Sequence, residues 1–496
     1  KSRTNYGRGH FSAVFDPTPK HTAGFDIEYT ERSTHMPTLS RTTLGQTQSD
    51  SRYRQHMDGN TLTATANYIW KIDTLGSQFK LIADYTRYTS DGDNSYHTTT
   101  CAPGTLRDSL YESATGSVYD ILTADAGLTR KLPHGLTLRA GLRYTRNDMA
   151  DKSRYAAQTQ GTWLALPEYS YDQHYTEQIG AAYASLEYSA GRWELSAGLR
   201  GEYTSVASQA FGRSYFGLFP NVSVSRALNA LRTWLLVAQW SRNIERPAFP
   251  ALNPARIRIS DYSWQSGNPS LRPTYIHRFS LTAVWKYRYT LTVGGNLHHD
   301  LIREIAHRDA TAPDAVYIRP ENHYTENHWF VAASVPAKIT RWWNLSVNAV
   351  GVMQRIRLNS TDSPATHYLM FADATCSFTL PAGFFAEAAY RAQSRLYSGN
   401  SEVGPRHTLS ATVKKQLFDK RLTLFCTLSN ITGCDWEFAS LTDGMRRTID
   451  TRQAWSGRLW KVGAAWNFRT GKKFRARTVE SAAETQRKRL VKSTEQ

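Results

Sequence analysis

Fifteen His, four Cys and ample Ser, Asp and Glu give this 496-residue chain the residue types of a metal site or an activated nucleophile. Their spacing does not follow through. The densest cluster is His298-His299-Asp300, but adjacent side chains of a strand point to opposite faces, so the two imidazoles cannot share one ion without a bulge. His97 lies near Asp91 and Asp93 in a polar stretch where solvation accounts for all three. No nucleophile elbow, Gly-rich phosphate loop or Cys–His pair stands at a meaningful spacing. Cys376 and Cys426 fall on alternating apolar positions and read as small hydrophobes, whereas Cys101 and Cys434 fall in polar segments, where a bridge between them is an open alternative. The chain therefore reads as a non-enzyme without metal or cofactor. The chemistry left is ionic. Arg139, Arg143, Arg200, Lys286 and Lys461, with the carboxylates Glu202 and Asp373, sit in segments where polar and apolar residues alternate. Such a face either binds acidic groups or neutralises itself by pairing with Glu202 or Asp373.

The segments that carry these charges are two-faced. Residues 136–144 read LTLRAGLRY, 193–203 WELSAGLRGEY, 278–287 RFSLTAVWKY and 458–468 RLWKVGAAWNF. In the first, Leu138, Ala140, Leu142 and Tyr144 share one face, and Arg139, Gly141 and Arg143 the other. In the last, Trp460, Val462, Ala464, Trp466 and Phe468 oppose Lys461, Gly463, Ala465 and Asn467. Strand side chains alternate with period two, while a helix would scatter these residues around its axis. About twenty such segments describe an all-β fold, a large antiparallel transmembrane β-barrel, apolar outside and polar inside. Leu138, Leu142, Leu199, Leu281, Val462 and Trp466 are expected to face lipid. The five cations are expected to face the lumen, because Arg or Lys at the bilayer midplane costs about 2–4 kcal/mol.

Composition agrees once the two faces are separated. A mean hydropathy of −0.52 would suit a water-soluble protein, but the lumen-facing half of every strand dilutes the apolar half. The densest apolar stretch, TWLLVAQW at 233–240, is far too short for a spanning helix. Many of the 14 Trp and 27 Tyr, among them Trp193, Trp285, Trp342, Trp343, Tyr144, Tyr203 and Tyr287, sit at segment ends, where amphipathic rings suit the headgroup levels. Of the net charge of +18, residues 469–496 supply +6, with 9 Lys/Arg against 3 Asp/Glu. The rest forms no clustered basic stripe, which argues against a nucleic-acid partner.

Alternating turns and loops order the chain. Hairpins at 7–31, 59–88, 116–148, 175–204, 217–244, 274–304, 324–357, 366–395 and 405–432, and a closing strand at 456–469, are joined internally by short turns rich in Asp, Gly, Pro and Asn. Polar connections at 32–58, 89–115, 149–174, 245–273, 305–323 and 433–453 are expected as long loops. Short turns belong to the periplasmic end and long loops to the outside. The count is about 19 strands, or about 20 if 438–452 adds one, against about 22 in a large plugged barrel. A few strands, and whatever preceded them, are therefore expected ahead of residue 1, with the first and last strands flanking a seam. The opening KSRTNYG reads as a mature or truncated start.

The sharpest local signal runs from Ser241 to Pro273: Arg246-Pro247, then Leu252-Asn253-Pro254, then Gly267-Asn268-Pro269-Ser270-Leu271-Arg272-Pro273. Its prolines forbid ladder pairing and fix an extended or turned backbone, and Gly267-Asn268 supplies a bend, so this is an ordered loop between two strands. The segment resembles its counterpart in the TonB-dependent-receptor-type outer-membrane β-barrel family. FPNVSVSRAL (219–228), IDTLGSQFKLIADYTRY (72–88), WWNLSVN (342–348) and GRLWKVGAAWNF (457–468) are similar too, so the likeness covers nearly the whole chain.

The resemblance implies a transporter in the outer membrane of a Gram-negative cell that takes up a large scarce nutrient, an iron chelate, glycan or peptide. The alternatives are a non-transporting barrel serving as surface adhesin or assembly scaffold, and then a passive porin. It implies as partners the outer-membrane lipid, TonB through a plug outside this chain, a surface lipoprotein, and the barrel-assembly machinery. That machinery would read the closing strand through Trp460, Val462, Ala464, Trp466 and Phe468. Residues 1–468 are then the barrel. Residues 469–496 are expected as a basic periplasmic tail, disordered or marginally helical, touching anionic lipid heads.

Overall fold

A computed structural model describes residues 3–209, 211–254, 256–260, 262–309, 315–433, 436–442, 445–451, 457–468 and 479–490. Nineteen strands pair antiparallel, each with the next, in chain order. They are Arg3–Thr18, His21–Leu44, Thr47–Lys71, Gln78–Ala102, Thr105–Lys131, Leu136–Thr159, Tyr171–Ala190, Trp193–Ser208, Gly212–Ala227, Trp234–Glu245, Thr274–Trp285, Tyr289–Arg308, Val316–Lys338, Trp343–Arg357, Ala365–Leu380, Phe384–Gln393, Arg406–Leu417, Leu422–Ser429 and Leu459–Trp466. Three short strands at loop ends, Thr162–Ala165, Ile257–Ser260 and Ser263–Gln265, complete a sheet of 22. The segment that could have added a twentieth wall strand instead joins a separate four-stranded sheet, Leu396–Ser398, Ser401–Val403, Trp436–Thr442 and Met445–Thr451. Among the described residues no ladder joins the first wall strand to the last.

Alternation sets the faces as the sequence requires. Leu138, Leu142, Leu199, Leu281, Val462 and Trp466 are all exposed on the outside, Leu142 to 64% and Val462 to 78%. On the strands around Leu138, Leu142 and Leu199 the inward positions are polar and buried: Thr123, Asp125, Thr145, Asn147, Glu202 and Thr204. Cross-strand register keeps like with like, Leu142 opposite Ala126 and Ala182, Arg143 opposite Asp125.

The tight turns fall where their residues demand them. At 132–136 the chain reverses through Pro133, with His134 at φ 61° and Gly135 at φ 75°. A Cβ on Gly135 would stand 2.2 Å from the Ser189 carbonyl oxygen, so the neighbouring strand also excludes a side chain there. At the next turn down the wall the Asp73 carboxylate accepts from the backbone N–H groups of Leu75 (3.0 Å) and Ser77 (2.9 Å). The Ser77 hydroxyl and amide hold that carboxyl below its ordinary range.

Two expectations change. The stretches 32–58, 89–115 and 149–174 are not open loops: the strands run through them, up to 27 residues long, and reverse only near Gly45, Gly104 and Gly161. About ten residues cross the hydrocarbon, so the outer halves stand above it. There no lipid demands an apolar stripe. The outward residues are exposed and polar, as Arg52 and Arg54 are, and the inward ones, among them Ser49, Ser51 and Thr98, are buried yet polar. The strand keeps its ladder without the stripe. Outer-half polar pairs such as Arg41–Asp50 (2.6 Å) and Thr99–Asp108 (2.6 Å) fill the cross-strand positions.

The second change concerns the C-terminal segment. Residues 479–490 do not hang away from the wall. They lie against its inner face and end in a helical turn over Glu484–Arg487 that continues tightly through Lys488–Leu490. A basic run is usually a solvated face, yet Arg489 finds the buried carboxylate Glu177, Asp84 accepts from the Ala482 N–H, and Lys488 stays exposed. The rest of the tail, 469–478 and 491–496, lies outside the described residues.

If the outer face meets lipid, Leu142→Arg should be costly and Thr292→Arg, on the inner face, should not. The expected penalty is about 2–4 kcal/mol if Leu142 sits near midplane, falling to about 0–1 near an interface. It would be read as a lower folded fraction in heat-modifiable gel mobility after refolding into lipid.

Candidate functional site

The proline-rich connection between Trp234–Glu245 and Thr274–Trp285 folds inward, and the wall strands supply its core. Pro247 leads into a single helical turn, Phe249–Leu252, with Pro250 in its first turn, where a missing N–H costs nothing. Phe249, Leu252 and Leu271 are almost wholly buried against Tyr119, Ile121, Met149, Tyr175 and Val206. The bend closes on itself: Gly267 N–H donates to the Asn253 carbonyl (2.9 Å) and Asn268 N–H to the Ala251 carbonyl (2.7 Å). Asn268 Oδ1 accepts from Ser270 N–H (3.1 Å), while its Nδ2 donates to the Pro320 carbonyl (3.0 Å). A Cβ on Gly267 would lie 2.2 Å from the Asn253 oxygen and 2.7 Å from that of Ala251, so only glycine fits. Pro254 and Pro269 are half-buried and Pro273 is buried as the chain re-enters the wall.

Beneath this loop the inner wall carries a continuous ionic chain. Arg143 Nε donates to Asp125 (2.7 Å), and the Tyr183 hydroxyl donates to the other oxygen of Asp125 (3.2 Å). The Arg200 guanidinium lies 5.9 Å from the Tyr183 ring centre and donates to Glu202 (2.5 Å). Arg246 reaches back from the loop to Glu202 (2.7 Å) and Thr204 (2.9 Å), with its Nε 3.8 Å from Glu177. Arg489 of the C-terminal segment closes the chain on Glu177. Asp125, Glu202 and Glu177, the buried carboxylates of this chain of contacts, thus each meet at least one guanidinium.

A model of the outer membrane protein beta-barrel family matches residues 70–466. The chain belongs to that family. Its place is the outer membrane of a Gram-negative cell, in contact with outer-membrane lipid. Among solved structures, the ferric-catecholate import receptor Fiu of E. coli K12 is similar at 10% identity, covering 94% of this chain and 81% of that one, with a TM-score of 0.58. The ferric yersiniabactin uptake receptor FyuA of Yersinia pestis is similar at 10% identity, covering 94% and 80%, with a TM-score of 0.51. At such identities the likeness is one of fold. No curated protein matches the sequence at a significant level.

Within this family barrel the charges read from the sequence separate into two groups. Arg143, Arg200, Glu202 and Arg246 come together in the ionic chain. Arg139 pairs apart with Glu187 (2.8 Å), Asp373 accepts from Asn348 (2.8 Å) rather than from an arginine, and Lys461 lies 6.0 Å from the Phe425 ring centre. Lys286 is not on the lumen face of a strand. It opens the turn after Trp285 with φ 52°, and its ammonium sits 4.5 Å from the Trp285 ring centre, because the left-handed backbone at 286 and 287 ends the alternation. His298 and His299 do diverge: His298 shares a 2.7 Å hydrogen bond with the Glu326 carbonyl, and His299 stacks edge-on against Tyr324.

Two groups of functional character had no individual signal. Asp125, Asn147, Glu177 and Tyr183 are ordinary strand residues until register sets them beside their partners. At the end bearing the long hairpins, Arg256 lies 5.1 Å from the Tyr169 ring centre and 5.7 Å from that of Trp264, and Arg258 lies 4.8 Å from Tyr111 and 5.1 Å from Trp264. The Tyr155 hydroxyl donates to the Arg256 carbonyl, fixing this guanidinium–aromatic stack over the inward loop.

Arg246→Ala would leave Glu202 with Arg200 alone and Glu177 with Arg489 alone, so a loss of about 1.5–3 kcal/mol is expected, against under about 1 kcal/mol for the exposed Arg139→Ala. Guanidinium unfolding in detergent micelles would read both. Gly267→Ala should cost about 1–3 kcal/mol through its backbone clash. It should also speed tryptic cleavage at Arg256 and Arg258 while leaving the wall folded.

Proposed function

We propose that this barrel is a TonB-dependent-receptor-type transporter that imports a large scarce nutrient, an iron chelate ahead of a glycan or peptide. The observation that carries the reading is the guanidinium–aromatic stack of Arg256, Arg258, Tyr111, Tyr169 and Trp264 above the inward loop. Planar cations interleaved with rings suit an anionic, aromatic chelate, which gains charge neutralisation and stacking at the same contacts. Fold likeness to two import receptors for ferric chelates supports it. The inward loop and the C-terminal segment both occupy the lumen, which weighs against a passive pore.

Capture would then occur at the long hairpins, with Arg256 and Arg258 holding the acidic face of the ligand. Release into the lumen requires the loop below to shift, with energy from TonB. Cells relying on this protein should lose uptake of a ferric catecholate when TonB is deleted. Arg256→Ala with Arg258→Ala should weaken ligand binding about tenfold or more, roughly 1.4 kcal/mol or more, while the folded fraction holds. Uptake that persists without TonB would overturn the transport reading. Wild-type affinity in the double variant would overturn the assignment of the ligand-binding contacts.

A further inference from the structure

The C-terminal segment touches the inner wall at successively higher levels. Val479 lies against Gly24 near the turn end of the second wall strand, and Glu480 pairs with Lys80 close by on the fourth. Ala482 N–H donates to the buried Asp84 carboxylate (2.7 Å). Further up, Asn147 donates to Gln486 (3.3 Å), and Leu490 packs against the apolar core beneath the inward loop. Ala483 is fully buried, and Gln486 and Arg489 are more than nine-tenths buried.

Arg489 enters a site made of four different contributions. One terminal nitrogen donates to Glu177 and, at 2.8 Å, to Gln486 Oε1; Nε donates to the Pro247 carbonyl at 3.0 Å; and the guanidinium plane lies 4.3 Å from the Phe249 ring centre. A carboxylate, a carbonyl and an aromatic face around one planar cation select a guanidinium over an ammonium, since only the planar fork donates to both acceptors while stacking. Glu177 is itself held by Asn147 (2.8 Å), so the acceptor is fixed from the wall.

We propose that Glu177, the Pro247 carbonyl and Phe249 form a guanidinium-binding latch, and that residues 479–490 are an internal strap that this latch holds within the lumen, against the inner wall. The strap enters from the tight-turn end and is pinned under the inward loop, so passage through the lumen requires the latch to open. The inference does not depend on which ligand is transported.

The test uses the full-length chain in liposomes and detergent. Trypsin should cut slowly after Arg487 and Lys488 in the wild type and at least tenfold faster in Arg489→Ala and in Glu177→Gln. The two changes combined should add nothing beyond Arg489→Ala, because the Arg489 contact that Glu177→Gln breaks is already gone. Arg489→Lys should restore only part of the protection, and Lys488→Ala, which loses an exposed pair with Glu484, should leave protection at Arg487 unchanged. Heat-modifiable mobility confirms that each variant keeps its barrel. Liposome swelling in a small sugar should rise severalfold in Arg489→Ala. Wild-type cleavage as fast as in Arg489→Ala, additive effects in the double variant, or a released strap without increased swelling would each overturn the proposal.

Discussion

Inside hydrocarbon, a peptide N–H or C=O without a partner costs several kcal/mol, and no water is there to supply one. The rest of this molecule follows from that constraint. Each strand must give its backbone groups to its neighbours, so the chain is committed to an antiparallel ladder in strict order, with a reversal at every step. The ladder in turn imposes period two, and period two sorts Leu138 and Leu142 from Arg139 and Arg143 without any further instruction. Neither the ionic chain nor the inward loop could exist on a wall whose faces were not already separated in this way.

The inner face poses the opposite problem. Its polar groups must find partners on the wall itself or on segments that fold back against it. Arg143 with Asp125, and Arg200 with Glu202, are solutions local to neighbouring strand positions. Glu177 is different: its two nearest cations, Arg246 and Arg489, come from segments that leave the wall and fold back into it. The same inward loop brings Phe249 and Leu271 to cover Tyr119, Tyr175 and Val206, so apolar burial and charge pairing are obtained by one excursion of the chain.

This division explains what could be read from the sequence. Turns were legible because Pro133, Gly135, Asp73 and Gly191 act through their own backbone, and alternation was legible because it is a property of each strand alone. Once a turn is fixed, register follows arithmetically: Arg143 and Asp125 stand equally far from His134, and Arg200 and Tyr183 equally far from the reversal between Gly191 and Arg192. Pairings across a hairpin were thus latent in the sequence. The outer halves of the strands were hidden because above the lipid neither face need be apolar, the buried one carrying Ser49, Ser51 and Thr98, which removes the apolar stripe by which strands are recognised. Contacts at long range were hidden for a deeper reason. Nothing in the sequence around Glu177 distinguishes it from Glu187, which meets only an exposed Arg139.

The basic tail shows how a composition rule inverts inside a barrel. Lys and Arg without apolar neighbours ordinarily stay in water, since no core can repay their desolvation. A lumen lined by Asp84 and Glu177 has already met the cost of burying carboxylates, and an incoming guanidinium then relieves charge instead of adding it. Residues 479–490 also carry small or polar groups, Ser481, Ala482, Ala483 and Gln486, where the wall is close, and a single Leu490 where the apolar core begins. Their order matches the order of surfaces met on climbing the wall: carboxylate, amide, carboxylate, apolar. A merely solvated tail has no reason to keep such an order, and it is this correspondence, more than the charge, that ties the segment to the lumen.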